Sequence, residues 1–341
     1  MVRLKDIAYR AGVSIMTVSK ALRDAKDISV ATKARIQQMA QEMGYVPDAA
    51  AAGLRTRSTR LLGLIIPTLT NPIYSRMIMA IEEWSYQHGY AVLLMHSHND
   101  PGREEQCIRR LLSRRVDGMF ISPAARMETA VPIYDELQRG GMPTVILGGR
   151  AKFCSGFLVV ESDDAAASAS VTRHLLELGH RRIAFFAGPQ VSTWALDRFA
   201  GYKKALREAR VELDDRLIFP AGATIEEGEK AALQFLQEST GATAVQAVND
   251  MVAIGAANVF FQQGVRIPQD LSITGFGNVL VSEHYRVPLT TVRQPKFRLG
   301  VAAMELMLAK LRGEKAESKR LPADLVIRQS TVAPSKPPSA A

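Results

Sequence analysis

Ser14, Thr17, Ser19 and Lys20 place three short hydroxyls and one ammonium within a few residues of each other. Donors of this kind suit phosphate oxygens and the acceptor atoms on base edges. The apolar residues around them decide which way they point. In LKDIAYRAGVSIMTVSKAL, residues 4–22, Ile7, Ala8 and Ala11 share one face of a first short helix, and Val18 and Leu22 one face of a second. Gly12 falls at the tight turn between them, where a residue without Cβ is favoured. Small Ala8 suits a close helix crossing, and Ser14 stands where its hydroxyl would cap the second helix. This is a helix-turn-helix pattern, whose second helix enters the DNA major groove. An ordinary helical hairpin would share the apolar spacing, but its outer face would carry mixed Glu and Lys.

The surrounding elements extend this module. Ser29 caps a third helix over about 30–43, with Ile36, Ala40 and Met43 as its buried stripe and Gly44 as its stop. Residues 1–46 thus form a three-helix headpiece. In YVPDAAAAGLRTRST, Pro47 ends the helix, and the alanine run has helix propensity but little apolar area to bury. Leu54 among Arg55, Arg57 and Arg60 is an apolar wedge flanked by cations, a device that unstacks base steps in the minor groove. Residues 47–59 are therefore read as a hinge segment ordered by DNA, with a plain linker as the alternative. Charge agrees. The 341-residue chain has net charge +9, and its first 60 residues hold eleven Lys and Arg against five Asp and Glu.

From residue 60 the texture changes to alternating strands and amphipathic helices. LLGLIIP, AVLLMHS, GMFISP and TVILGG alternate with helices over 73–88, 102–114 and 128–140. FLVVES, RIAFFAG, AVQAVN and SITGF then alternate with helices near 163–178, 195–209, 225–238 and 250–263. The class is α/β, with parallel strands joined by right-handed crossovers. About nine strands exceed one small sheet of this type, so two doubly wound lobes are expected, with a ligand at the strand carboxyl ends between them. The tail, 331–341, is Pro/Ser-rich and read as disordered. Cys107 and Cys154 form no framework and read as reduced thiols, no secretion signal opens the chain, and a cytoplasmic location follows.

The motifs DIAYRAGVSIMTVSKAL, GYVPDAAAAGL, GLIIPTLTNPIY, GHRRIAFFAG, DRFAGY and PLTTVRQP, in this order across residues 3–330, resemble the lactose/galactose-repressor (LacI/GalR) family. The resemblance implies a homodimeric transcription regulator, most often a repressor, acting on double-stranded DNA at an inverted-repeat operator. It also implies a periplasmic-binding-protein-like effector domain over 60–330, with an N-lobe of about 60–159 and 291–318 and a C-lobe of about 160–290 and 319–330. By resemblance, Ile15, Met16 and Lys20 read bases. Ser14, Thr17, Ser19 and Arg23 mostly touch phosphates. Leu54 wedges into a central CG step of the minor groove, beside Arg55, and Ala51 packs the hinge helix. Asp48 and Gly53 depart from the family pattern, and a glycine within a short helix costs about 1 kcal/mol relative to alanine.

The effector positions implied by the same match are Asn71, Tyr74, Asp100, Pro123, Arg150, Asp163, Trp194, Arg198, Asn249 and Asn278, with Gly277. Arg198 is singled out because an arginine aimed into a cleft is costly without a function. Gly149 and Gly277 stand where several neutral-sugar binders carry acids, so a pocket retaining Arg150 and Arg198 is expected to be electropositive. The effector expected first is a sugar acid or sugar phosphate, with a neutral sugar second. Ala223 is small where some sugar binders stack an aromatic, which leaves Trp194 or Tyr74 for that role. His96 and His98 with Asp100 are weak as a metal pattern, so no metal and no cofactor are expected. No GxxxxGK[ST], GxSxG or HExxH occurs, and no catalytic residues are assigned. A solute-binding receptor or a sugar-processing enzyme on the same scaffold is the alternative, and neither needs the basic headpiece.

Overall fold

The structure is a computed structural model describing residues 2–46 and 58–335. The chain divides into two compact units, 1–59 and 60–341. The expectations for Ala51, Leu54, Arg55 and the hinge helix lie outside the described residues.

The first unit holds helices α1 (Leu4–Ala11), α2 (Ile15–Leu22) and α3 (Val30–Glu42). Gly12 closes α1 with φ 65°, the left-handed geometry its position calls for. Ser14 and Ser29 accept from Thr17 N (3.0 Å) and Thr32 N (3.3 Å), as their sequence positions imply. The core is Ile7, Ala8, Ala11, Val18, Ala21, Ile36 and Ala40. On α2 the fully buried pair is Val18 and Ala21, while Leu22 and Met43 only flank the core.

The second unit begins with β1 (Leu61–Ile66), α4 (Ile73–Gln87), β2 (Ala91–His96), α5 (Pro101–Ser113), β3 (Gly118–Ile121), α6 (Pro132–Arg139), β4 (Thr144–Leu147) and β5 (Leu158–Ser162). These strands, with β11 (Lys319–Leu321), form a parallel sheet in the order β11-β5-β4-β3-β1-β2. Alternation sorts its faces. Leu62, Leu64, Phe120, Val145 and Val160 pack with α4 and with α12 (Lys296–Leu311), whereas Ile65, Met119, Ile121 and Ile146 pack with α5 and α6. Gly300 of α12 lets the two helices touch, since a Cβ there would lie 2.5 Å from Met77 O.

The second lobe contains α7 (Asp164–Glu177), β6 (Ile183–Ala187), α8 (Thr193–Glu208), β7 (Ile218–Pro220), α9 (Ile225–Glu238), β8 (Ala244–Ala247), α10 (Asp250–Gln262), β9 (Ser272–Thr274) and α11 (Leu280–His284). Its parallel sheet runs β7-β6-β8-β9. A third, antiparallel pair, β10 (Thr291–Arg293) with β12 (Asp324–Val326), packs Val292 and Leu325 on Ala167 and Val171 of α7.

Four expectations are corrected here. FLVVES belongs to the first sheet, not the second lobe, and so does 319–321, while 291–293 belongs with the second lobe. Strand composition marks burial but not which sheet a strand joins. The helix α12 lies in a stretch for which no element was expected. Residues 331–335 are held rather than free: Val332 N donates to Ser272 Oγ (3.0 Å), and His180 Nε2 lies 2.9 Å from Val332 O. Backbone groups that find partners in this way are ordered by them. Cys107 and Cys154 are buried free thiols.

Candidate nucleic-acid interface and effector site

The headpiece presents α2 with its apolar side turned inward and a polar-apolar mosaic outward. Ile15 and Met16 are 52% and 63% exposed although apolar, so they are free to meet thymine methyl groups. The Ser14 hydroxyl lies 2.9 Å from Thr17 Oγ1. Arg23 Nε donates to Ser19 O at 2.7 Å, which steadies the guanidinium at the end of the helix. Lys20 Nζ, the expected base reader, donates to Asp27 Oδ2 at 2.5 Å. Tyr9 on α1, which the sequence reading passed over, is 92% exposed; its place off the buried stripe was the available clue.

In the second unit, Arg198 organises the strand ends. Its Nε and Nη2 both donate to Asp164 Oδ2 (2.8 and 2.7 Å), and Nη1 donates to Val248 O (2.8 Å). The guanidinium lies 3.8 Å from the Phe276 ring centre and 4.8 Å from that of Trp194. The Asp164 carboxylate also accepts from Ser162 Oγ and from Gln294 Nε2 (3.0 Å). Because that oxygen only accepts, the amide of Gln294 is fixed with Oε1 on its other side. Among the described residues, Gln294 Oε1 is the one buried side-chain nitrogen or oxygen without a hydrogen-bond partner. Tyr74 OH is 3.4 Å from Ser122 Oγ; burial pushes its phenol up, and the charge of Arg198 pulls it back.

A second cluster sits at Asp250. It accepts from Thr291 Oγ1 (2.5 Å) and Val279 N (2.8 Å), and burial lifts its carboxyl above the ordinary range. Asn249 caps α10 through Val252 N (2.8 Å) and donates to Ala223 O (3.0 Å). Asn278 accepts from Arg328 Nη2 (2.7 Å), and its carbonyl accepts from Lys296 Nζ (3.1 Å). Burial draws the Lys296 ammonium from 10.5 down to about 8, against the pull of Asp250. Below about pH 8 this amine is charged both folded and unfolded, so the desolvation penalty stands in full. Between the two values the folded chain releases the proton first and the penalty fades. Stability relative to Lys296→Met is therefore expected to rise from about pH 8 to about pH 10.5 in urea unfolding. A difference independent of pH would show that the ammonium is not desolvated.

The remaining expected positions are dispersed. Asn71 Oδ1 accepts from Ile73 N (3.1 Å) at the start of α4, and Asp163 caps α7 through Ala166 N (3.2 Å). Asp100 caps α5 through Arg103 N (2.6 Å). The His96 and His98 rings lie with centres 3.8 Å apart, tilted by 40°. Pro123 follows Ser122 beyond β3, half-buried.

The expected electropositive pocket needs correction. Arg198 is neutralised by Asp164, and Arg150 lies 3.4 Å from Glu161, which Arg320 also meets at 2.8 Å. The cost of burying Arg198 is met inside the protein, not by a ligand. The two glycines also have local causes. A Cβ on Gly149 would fall 2.2 Å from Thr193 Oγ1, and Gly277 has φ +130°. Neither position accommodates an acid without rearrangement. Asp164, Phe276 and Gln294 were missed, although DD at 163–164 and the quoted PLTTVRQP contained two of them.

Comparison with known proteins bears on the fold and the family. Residues 3–48 match the model for bacterial regulatory proteins of the lacI family, and residues 172–331 match a periplasmic binding protein-like domain. The HTH-type transcriptional repressor CytR of Escherichia coli K12 is 32% identical over 330 residues, covering 96% of each chain. The lac repressor dimer bound to operator and the anti-inducer ONPF superposes with TM-score 0.85 at 26% identity, over 97% of this chain and 99% of that one. The transcriptional regulator CelR in its cellobiose complex gives 0.73 at 28%, over 97% and 100%. The chain belongs to the lacI family: it is a DNA-binding transcriptional repressor with an effector-binding domain. No described helix is long and apolar enough to cross a membrane.

Proposed function

We propose that this chain works in the cytoplasm as a homodimeric repressor, reading an inverted-repeat operator with α2 and switched by a neutral sugar held at the Arg198–Asp164 pair. The observation that carries DNA reading is the outward face of α2. It offers Ser14, Thr17, Ser19 and Lys20 as donors and Ile15 and Met16 as apolar contacts, and the helix contains no carboxylate. For pairing, α4 exposes Met79 and Tyr86, strand β2 is the open edge of its sheet with Leu94 exposed, and α11 exposes Leu280 and Val281. An apolar surface beside an open strand edge is a natural seat for a second copy.

A neutral polyol fits the effector site better than an anion. The buried guanidinium already has its carboxylate, Gln294 Oε1 calls for a hydroxyl donor, and the aromatic faces of Trp194 and Tyr74 suit the apolar side of a sugar ring. CelR, whose structure holds cellobiose, lends support.

Selection from a randomised duplex pool, followed by footprinting, is expected to return one symmetric site. Lys20→Ala should then relax discrimination at one base pair per half-site, by about 1–3 kcal/mol, while Arg23→Ala weakens all sequences alike. Asymmetric protection would overturn the dimer. Neutral aldoses should raise the melting temperature more than their uronates or phosphates. Equal or larger shifts from the charged analogues would overturn the neutral effector.

A further inference from the structure

The loop RDAKDIS, after α2, brings a carboxylate back to the recognition helix. Asp27 Oδ2 lies 2.5 Å from Lys20 Nζ, and the two side chains are 56% and 39% exposed. The hydrogen bond from Lys20 holds the Asp27 carboxyl below its ordinary value. Two nearby cations have contacts of their own, Arg23 on the Ser19 carbonyl and Lys33 on Asp24 at 2.7 Å. An exposed pair such as Lys20–Asp27 adds only about 0.2–1 kcal/mol to folding, so stability is a poor reason for its presence. Its position is a better one. The ammonium expected to read bases is occupied, and its partner repels phosphates.

We propose that Asp27 is a specificity-determining residue for DNA, withholding Lys20 from phosphate oxygens and yielding it to the paired acceptors of a guanine edge. This rests on the reading that α2 faces the major groove. At a random site Lys20 would exchange one oxyanion for another, a trade of little gain, while Asp27 meets the phosphate field. At a G·C pair the ammonium meets O6 and N7, and the released carboxylate can accept from cytosine N4. The cost falls on non-specific binding and is offset at the cognate step, so discrimination rises while raw affinity does not.

The test uses the full chain, a fixed duplex lacking the selected site, the selected duplex, and anisotropy over a salt series. Asp27→Asn is expected to tighten the fixed duplex about threefold and to steepen its log–log salt slope by about 0.9 per headpiece, since one more phosphate is neutralised. The selected duplex should gain less, so the specificity ratio falls. Asp27→Ser should repeat this, whereas Asp24→Asn, which frees Lys33, should leave the ratio unchanged. In a Lys20→Ala background the slope change on removing Asp27 should vanish. The same slope change in that background would mean plain charge removal and overturn the proposal, as would an unchanged ratio. If the wild-type chain selects no site, the regulator reading fails, and the Lys20/Asp27 cycle on the fixed duplex still decides the role of Asp27.

Discussion

Glu104→Ala is expected to destabilise the second unit by about 3–5 kcal/mol, lowering its melting temperature by roughly 10 °C. Glu104 is wholly buried and accepts from Arg126, from Ala124 N and from Tyr134 OH (2.9 Å). The Arg126 side chain is itself only 4% exposed and lies 4.9 Å from the Phe153 ring centre. Truncation would strand a guanidinium, an amide and a phenol in the interior together. Burial pushes the Glu104 carboxyl up, and Arg126 with the donors opposes this, so the site depends on the whole network. Glu104→Ala combined with Arg126→Met should recover part of the loss, because the uncompensated charge goes as well. Thermal and urea unfolding decide the matter. A single-variant cost under about 1 kcal/mol would show that the pair is effectively solvated.

Asp164→Ala is expected to have a comparable effect on stability and, in addition, to abolish the response to effector. It removes the partner of Arg198 Nε and Nη2 and the acceptor for Ser162 and Gln294 in one step. The loss is again about 3–5 kcal/mol. Adding Arg198→Met should restore much of the stability but none of the sugar-induced rise in melting temperature, because the recognition groups stay absent. Full recovery of that rise in the double variant would place the effector elsewhere. Retained stability in Asp164→Ala would mean that Val248 O and the two rings suffice for Arg198.

How much of this was legible depended on range. The headpiece was readable because its determinants are local: Ser14 three residues before Thr17, Ser29 three before Thr32, and Gly12 at the turn. The strands were readable as apolar runs, but β5 and β11 pair across more than 150 residues, and no local pattern states that partnership. The helix α12 was overlooked because Gly300 and the basic residues around it blur the apolar stripe, and that glycine serves α4. Arg198 could be singled out, but not its counter-charge. Asp163 and Asp164 are adjacent and chemically identical, and only the turn of α7 sends one to cap the helix and the other to the guanidinium. Gly149 looked like an acid removed, whereas Thr193 leaves it no room.

The route of the chain between β5 and α7, between β10 and α12, and between β11 and β12 passes three times from one lobe to the other. All three passages are pinned at one spot: Gln294 to Ser162 (2.8 Å) and Asp164 (3.0 Å), and Asp163 N to Leu321 O (2.8 Å). A pivot so fastened cannot yield at one strap while the others stay still. A molecule bonded to Asp164 or Gln294 would therefore touch the fastening shared by all three crossings.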